Sequence, residues 1–169
     1  MTASTPWCLR DAERPLRLFL AMFLIVLSAG YAIGLVFVEH SSHATPQGIS
    51  EQFRGSSETA PEGTEIRYEK SPDEMYVFLH NHVLSLALVF GAVGTMFHFS
   101  SIAKGGLKTF LMTEPMGAIV TTFGGIWLTR FVSADFSLLV LLSGLTMALC
   151  YVAMVILLLV ELLVLGERS

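Results

Sequence analysis

The residues best suited to chemistry are five histidines, and they are unevenly placed along the chain. They are His40, His43, His80, His82 and His98. The first four flank two long apolar runs on what would be the same face of a membrane, and ionisable groups at membrane depth usually have a function. Imidazoles from two helices could hold a haem b edge-on, so His80, His40, His43 and His82 are the haem candidates. Mixed histidine and carboxylate ligands could instead hold copper or zinc, which makes His40, His43, His80 and Glu39 the metal candidates.

Helix geometry separates His80 from His82. Two helical residues that are two positions apart point about 200° away from each other, so only one of this pair should face a bundle interior. His80 continues a 4-3-4-3-4 stripe and is therefore expected to face inward; the stripe is His80, Leu84, Ala87, Gly91, Gly94 and His98. His80 and His98 are about 27 Å apart along a helix and cannot share one haem, so a haem would need a ligand from the first helix.

A third apolar run has a matching stripe, which consists of Glu114, Gly117, Thr121, Gly124 and Leu128. Antiparallel packing of the two stripes would bring Glu114 beside His98 and Arg130 toward His80. At the inner end, His98, Glu114 and Glu161 could then form a proton-accepting pair or triad. Small-residue packing explains the glycines equally well, and interfacial histidines could simply bind loop carbonyls or Arg130.

The sequence contains none of several catalytic signatures. There is no G-x-S-x-G, no H-E-x-x-H, no Walker loop and no C-x-x-C-H haem attachment, so independent catalytic activity is not expected. Cys8 and Cys150 form neither a disulfide framework nor a C-x-x-C site. The net charge of -4 gives no electrostatic footprint for nucleic acid.

Hydrophobic residues make up 53% of the 169 positions and charged residues only 14%, which is typical of a membrane protein. We expect an all-α membrane protein, residues 1–169 forming one domain, with a four-helix transmembrane bundle. The predicted spans are about 16–38, 72–102, 109–131 and 134–165, and a polar loop covers 39–71. The first run is treated as a retained helix because it is longer than the apolar core of a signal peptide.

Basic residues orient this bundle. Arginines precede the first span, and Lys104 and Lys108 lie between the second and third spans, so both termini should be cytoplasmic. In a bacterial inner membrane the long loop would then be periplasmic. Its composition cannot bury enough apolar surface alone, so we expect it to be ordered by a partner or by the bundle mouth, anchored by Ile49, Phe53 and Tyr68.

Short motifs carry a family resemblance. A Gly48-Ile49-x-Glu51-x-x-Arg54-Gly55 loop, His80-Asn81-His82 and Glu114-Pro115 resemble those of small bacterial four-helix membrane proteins. The layout is also similar to that of minor subunits and haem-b-like partners of respiratory complexes, although the chain lacks the histidine pair of respiratory cytochrome b helices. The resemblance implies an accessory subunit of a redox or electron-transport assembly, surrounded by lipids and other membrane subunits. The alternatives are a small transport or metal-handling protein with a polar path between helices, and a purely structural scaffold.

Overall fold

The computed structural model describes residues 7–56 and 66–165, and within them the only regular structure is helical. The five α-helices are α1 (Arg14–Ser42), α2 (Pro46–Arg54), α3 (Pro72–His98), α4 (Gly105–Phe131) and α5 (Phe136–Val160). A single π-helical turn, Glu161–Leu165, continues α5 at its carboxyl end. This end of the bundle is called inner, and the opposite end, which carries α2, is called outer, after the predicted orientation. The all-α class is therefore confirmed.

Among the residues described, three helices are long and apolar enough to cross a membrane: α1, α3, and α5 together with its π turn. The fourth long helix, α4, has 27 residues but is interrupted by Lys108, Glu114 and Arg130. Three of the four predicted spans thus have the expected length and hydropathy.

Helix α3 begins at Pro72, where the second predicted span begins. The Ser71 hydroxyl accepts a hydrogen bond from the backbone N–H of Glu74, and the Glu74 carboxylate accepts one from the backbone N–H of Ser71. This capping box, followed by Pro72 at the first helical position, fixes the start of the helix.

Helix α4 lies antiparallel to α3 over its whole length. At the inner end, the Lys108 ammonium donates to the backbone carbonyls of His98 and Ser100. At the outer end, the Tyr76 ring contacts the Trp127 ring, with centroids 5.2 Å apart. The two helices therefore extend over the same distance between the two ends of the bundle.

Helix α5 lies at the centre of the bundle and contacts α1, α3 and α4. Its closest approach is to α4 at Gly125, where a Cβ would come within 2.9 Å of Val140 Cγ2. On the other side, the Tyr151 ring stacks on Tyr31 of α1 at 4.1 Å and meets Phe90 of α3 edge-on at 5.7 Å. Large aromatic rings thus join three helices where the sequence had suggested glycines.

The expectation that the glycine stripes would pack together is wrong. A Cβ added at any of the stripe glycines, or at the two glycines of α1, would meet nothing within 4 Å; they are Gly30, Gly34, Gly91, Gly94, Gly117 and Gly124. The packed face of α3 is rotated by one residue and runs along Leu79, Val83, Leu86, Phe90, Val93 and Phe97. Bulky side chains occupy this interface because they bury more apolar surface than glycine does.

The predicted outer loop contains the helix α2, which covers the outer end of the bundle. Ile49 and Phe53 are buried there, which confirms these two anchors, and Phe53 contacts Phe78 of α3 at 5.4 Å. Tyr68 is 83% exposed, so its predicted role as an anchor is wrong. A Cβ at Gly48 would collide with the Ser42 backbone, which explains why glycine is needed at that position.

Candidate functional site

The outer histidines, His40, His43, His80 and His82, are all exposed. His40 and His43 are exposed at the end of α1, where the His43 backbone adopts a left-handed conformation and ends the helix. His80 is also exposed, and with Tyr76, Val77 and Asn81 it lines a shallow groove on the outward face of α3. The expectation that His80 faces the bundle interior is therefore wrong.

His82 is exposed as well, although its ring makes contacts at the edge of the α3–α4 interface. Its ring packs on Phe78 of its own helix at 4.1 Å and on Phe123 of α4 at 5.7 Å. Its Nδ1 also hydrogen-bonds to the Phe78 carbonyl at 2.8 Å. This imidazole is thus a packing group of the α3–α4 interface, with one nitrogen already engaged.

Among the residues that the structure describes, no three histidine, cysteine, aspartate or glutamate side chains are grouped closely enough to hold a metal ion. Glu39 is exposed beside His40 and His43. A haem b, copper or zinc site at these residues remains a prediction, and the arrangement of the side chains gives it no added support.

Three arginines organise the outer end instead. Arg54 of α2 donates to the Thr129 carbonyl at 3.0 Å, while Arg67 donates to the Ser41 carbonyl and to Gln52 Oε1. Arg130 donates to the Lys70 carbonyl at 2.6 Å and pairs with Glu69 at 3.3 Å, so its predicted approach to His80 is wrong. Guanidinium groups at the carboxyl ends of α1 and α4 are favourable because helix carbonyls there lack partners.

The sequence analysis did not assign a role to Arg54 or Arg67. The Gly48 to Gly55 motif could have indicated this role, since it contains Arg54 and two glycines at positions where a side chain would not fit. Gly55 has φ +90, and a Cβ there would lie 3.0 Å from the Arg67 carbonyl. The motif therefore builds the outer cap of the bundle.

At the inner end, the Glu161 side chain is completely buried. Its carboxylate accepts hydrogen bonds from the Ser100 hydroxyl, and from the Ser101 hydroxyl and backbone N–H at 2.7 Å and 2.8 Å. His98 is exposed on a groove beside the start of α4. The predicted cluster of His98, Glu114 and Glu161 is thus not formed, because each of these residues has different surroundings.

Glu114 lies between α4 and α5. Its carboxylate interacts with the Cys150 thiol, and its Oε2 atom is buried without a hydrogen-bond partner. About two helical turns toward the outer face, the Thr122 and Ser143 hydroxyls hydrogen-bond at 2.8 Å across the same interface. The α4–α5 interface therefore contains two polar contacts, Glu114 with Cys150 and Thr122 with Ser143, and is called the polar seam below.

Residues 43–169 match the family model of a transmembrane helical domain, Aq_1264_TM. The chain belongs to this transmembrane helical domain family. No curated protein and no solved structure matches the chain.

The family match leaves out α1 and covers the other four α-helices. The Aq_1264_TM domain begins at His43, just after the end of α1, and contains α2 to α5. The outer arginine cap, the Glu114 carboxylate and the buried Glu161 all lie inside it. Membrane insertion is thus supported for the domain as a whole, while the resemblance to respiratory subunits gains nothing from this match.

Proposed function

We propose that this chain is a non-catalytic, accessory subunit of a larger membrane assembly. The observation that carries the proposal is the exposure of His80 and Asn81 on the outward face of α3. His80 lies eight residues after Pro72, about 12 Å along a helix that is itself about 40 Å long. A hydrocarbon core of about 30 Å would cover this position.

Lipid tails offer no hydrogen bonds, so an imidazole and an amide exposed at that depth are costly unless another protein covers them. A neighbouring transmembrane helix can satisfy both groups. The outward face of α4 fits the same role, since it presents small side chains that allow close approach; they are Thr113, Gly117, Thr121 and Gly124. This combination favours a protein partner over bulk lipid at the α3–α4 face.

The proposed topology has four spans, with both termini in the cytoplasm and the 39–71 segment outside. This topology is supported by the equal lengths of α3 and α4 and by the contacts between them at both ends. Reporter fusions after Ser169 and near Gly63, which lies outside the described residues, test it. Cytoplasmic and external signals respectively are expected; if α4 did not cross, both fusions would report the external side.

Site-specific photo-crosslinking tests the partner. A photoreactive residue at Asn81 should give a protein adduct in native membranes, whereas the same residue at Val26, which is 67% exposed on α1, serves as a lipid-facing control. Lipid adducts alone at both positions would rule out a partner at this face. The redox character of the assembly is a separate proposal, which a visible absorption spectrum and metal analysis of the purified complex test through a Soret band or bound copper or zinc.

A small transport protein is the second candidate, favoured by the polar α4–α5 seam. Two substitutions distinguish the accessory-subunit function from the transport function. Asn81→Leu should disrupt assembly without changing the seam, whereas Glu114→Gln should abolish a transport activity and leave the crosslink at position 81 intact.

A further inference from the structure

The Glu114 carboxylate is placed at the middle of the membrane domain. Its neighbour Cys150 is 4% exposed and lies 14 residues after Phe136, close to the midpoint of the span that ends at Leu165. The position of Cys150 along α5 therefore gives the depth of the carboxylate, whether or not α4 itself is counted as a membrane span. Carboxylates at such depth are rare and are generally functional.

The surroundings of this carboxylate contain acceptors but few donors. Glu114 Oε2 is buried without a hydrogen-bond partner. Pro115 follows it in the helix and has no N–H to give to the buried Leu111 carbonyl, one turn earlier. The Cys150 thiol is a weak donor. By contrast, Glu161, which is completely buried whereas Glu114 is partly exposed, is surrounded by three donors.

No cation balances Glu114 within residues 7–56 and 66–165. The ion pairs found there are Arg10–Asp11, Lys70–Glu74 and Arg130–Glu69. Arg17 on α1 also has buried nitrogens without a partner, but it forms no ion pair with Glu114. The titratable group that faces the carboxylate from α5 is Cys150.

The surface of α4 beside Glu114 is open at Gly117. Gly117 lies three residues after Glu114, so both are on the same side of the helix. Gly117 is exposed, and a Cβ added there would meet nothing within 4 Å. Gly117 therefore leaves the helix surface one turn from Glu114 uncovered by other side chains.

We propose that Glu114 is a reversible proton-binding site in the bilayer interior. The proton supplies the donor that the acceptor-rich α4–α5 seam lacks, and its release leaves the buried oxygen unpaired. The ligand is a proton, with Na⁺ as the competing small cation. This inference is independent of whether His80 and Asn81 contact a partner, so carbodiimide labelling and photo-crosslinking can fail separately.

Dicyclohexylcarbodiimide tests the site in the full chain in vesicles. This apolar reagent adds to a protonated carboxyl group and rearranges to a stable N-acylurea, which peptide mass spectrometry locates. Glu114 should be labelled, and the rate should fall about tenfold per pH unit once the carboxyl ionises. Absence of labelling at Glu114 from acidic to alkaline pH would overturn the proposal.

Three controls sharpen the result. Glu114→Gln should remove the adduct, and Glu161→Gln should leave it unchanged because Glu161 is occupied by its serine donors. Gly117→Leu should slow labelling several-fold by covering this open surface, at little steric cost, since nothing lies near that position. Protection by Na⁺ at constant pH would overturn the proton assignment in favour of a cation site.

Discussion

Glu161 and Ser101 are joined twice, although they are 60 residues apart in the sequence. Oε1 of the carboxylate accepts one hydrogen bond from the Ser101 backbone N–H at 2.8 Å and another from its hydroxyl at 2.7 Å. The pair ties the π turn after α5 to the connection between α3 and α4. A completely buried carboxylate is tolerated here because neutral donors replace its water shell.

Glu161→Ala should lower the free energy of unfolding by about 3 kcal/mol, because hydrogen bonds to a charged group are lost and buried serine donors are left unpaired. Thermal unfolding in detergent micelles measures the change. Glu13→Ala is the matched control, since Glu13 is exposed at the start of α1 and makes no side-chain cap bond. Equal effects of the two substitutions would contradict the structural role of Glu161.

The two neighbouring histidines should respond in opposite ways. His82→Ala should destabilise the isolated protein by about 1 kcal/mol, because it removes the ring packed on Phe78 and Phe123 and one hydrogen bond. His80→Ala should leave micellar stability unchanged and weaken only the association with a partner. Unfolding in micelles together with native electrophoresis of membrane extracts measures both; a larger loss of stability for His80→Ala would restore the inward-facing alternative.

The outer cap should depend on Arg67. Arg67→Ala removes the donor to the Ser41 carbonyl and to Gln52, so limited trypsin digestion should cut the 39–71 segment several-fold faster. Lys70→Ala is the control, because its ion pair with Glu74 is exposed and such pairs contribute little. Comparison of isolated protein with native membranes separates the two sources of order: extra protection in membranes indicates a partner, and equal protection assigns the order to the bundle.

The aromatic junction should be sensitive to size more than to polarity. Tyr151→Ala should destabilise the fold by about 3–5 kcal/mol, because the ring packs against both Tyr31 and Phe90. Tyr151→Phe should cost only about 1 kcal/mol, since it removes just the 3.2 Å hydrogen bond with Ser28. Chemical denaturation of both variants decides; equal losses would mean that the hydroxyl, and not the ring, holds α1 to the bundle.

The candidate sites were only partly predictable. Glu114 and Glu161 stand out in the sequence because charges inside apolar runs are rare. Their partners do not, since Cys150, Ser100 and Ser101 are ordinary residues whose relevance depends on which helices meet. The roles of the arginines in the outer cap could not be predicted for the same reason, because their acceptors are backbone carbonyls at the ends of distant helices.

Local features of the chain are enough to predict the all-α class, the membrane setting and the start of α3. These follow from local quantities: the length of apolar runs, the distribution of charge, and the capping box at Ser71. Tertiary structure alone decided which face of each helix is buried. Helices that are apolar on most sides carry no periodic signal that singles out one face, so the exposure of His80 could not be predicted from spacing. The face was decided by the packing of Phe90, Val93 and Phe97 against neighbouring helices, which buries more surface than the glycine stripe one residue away.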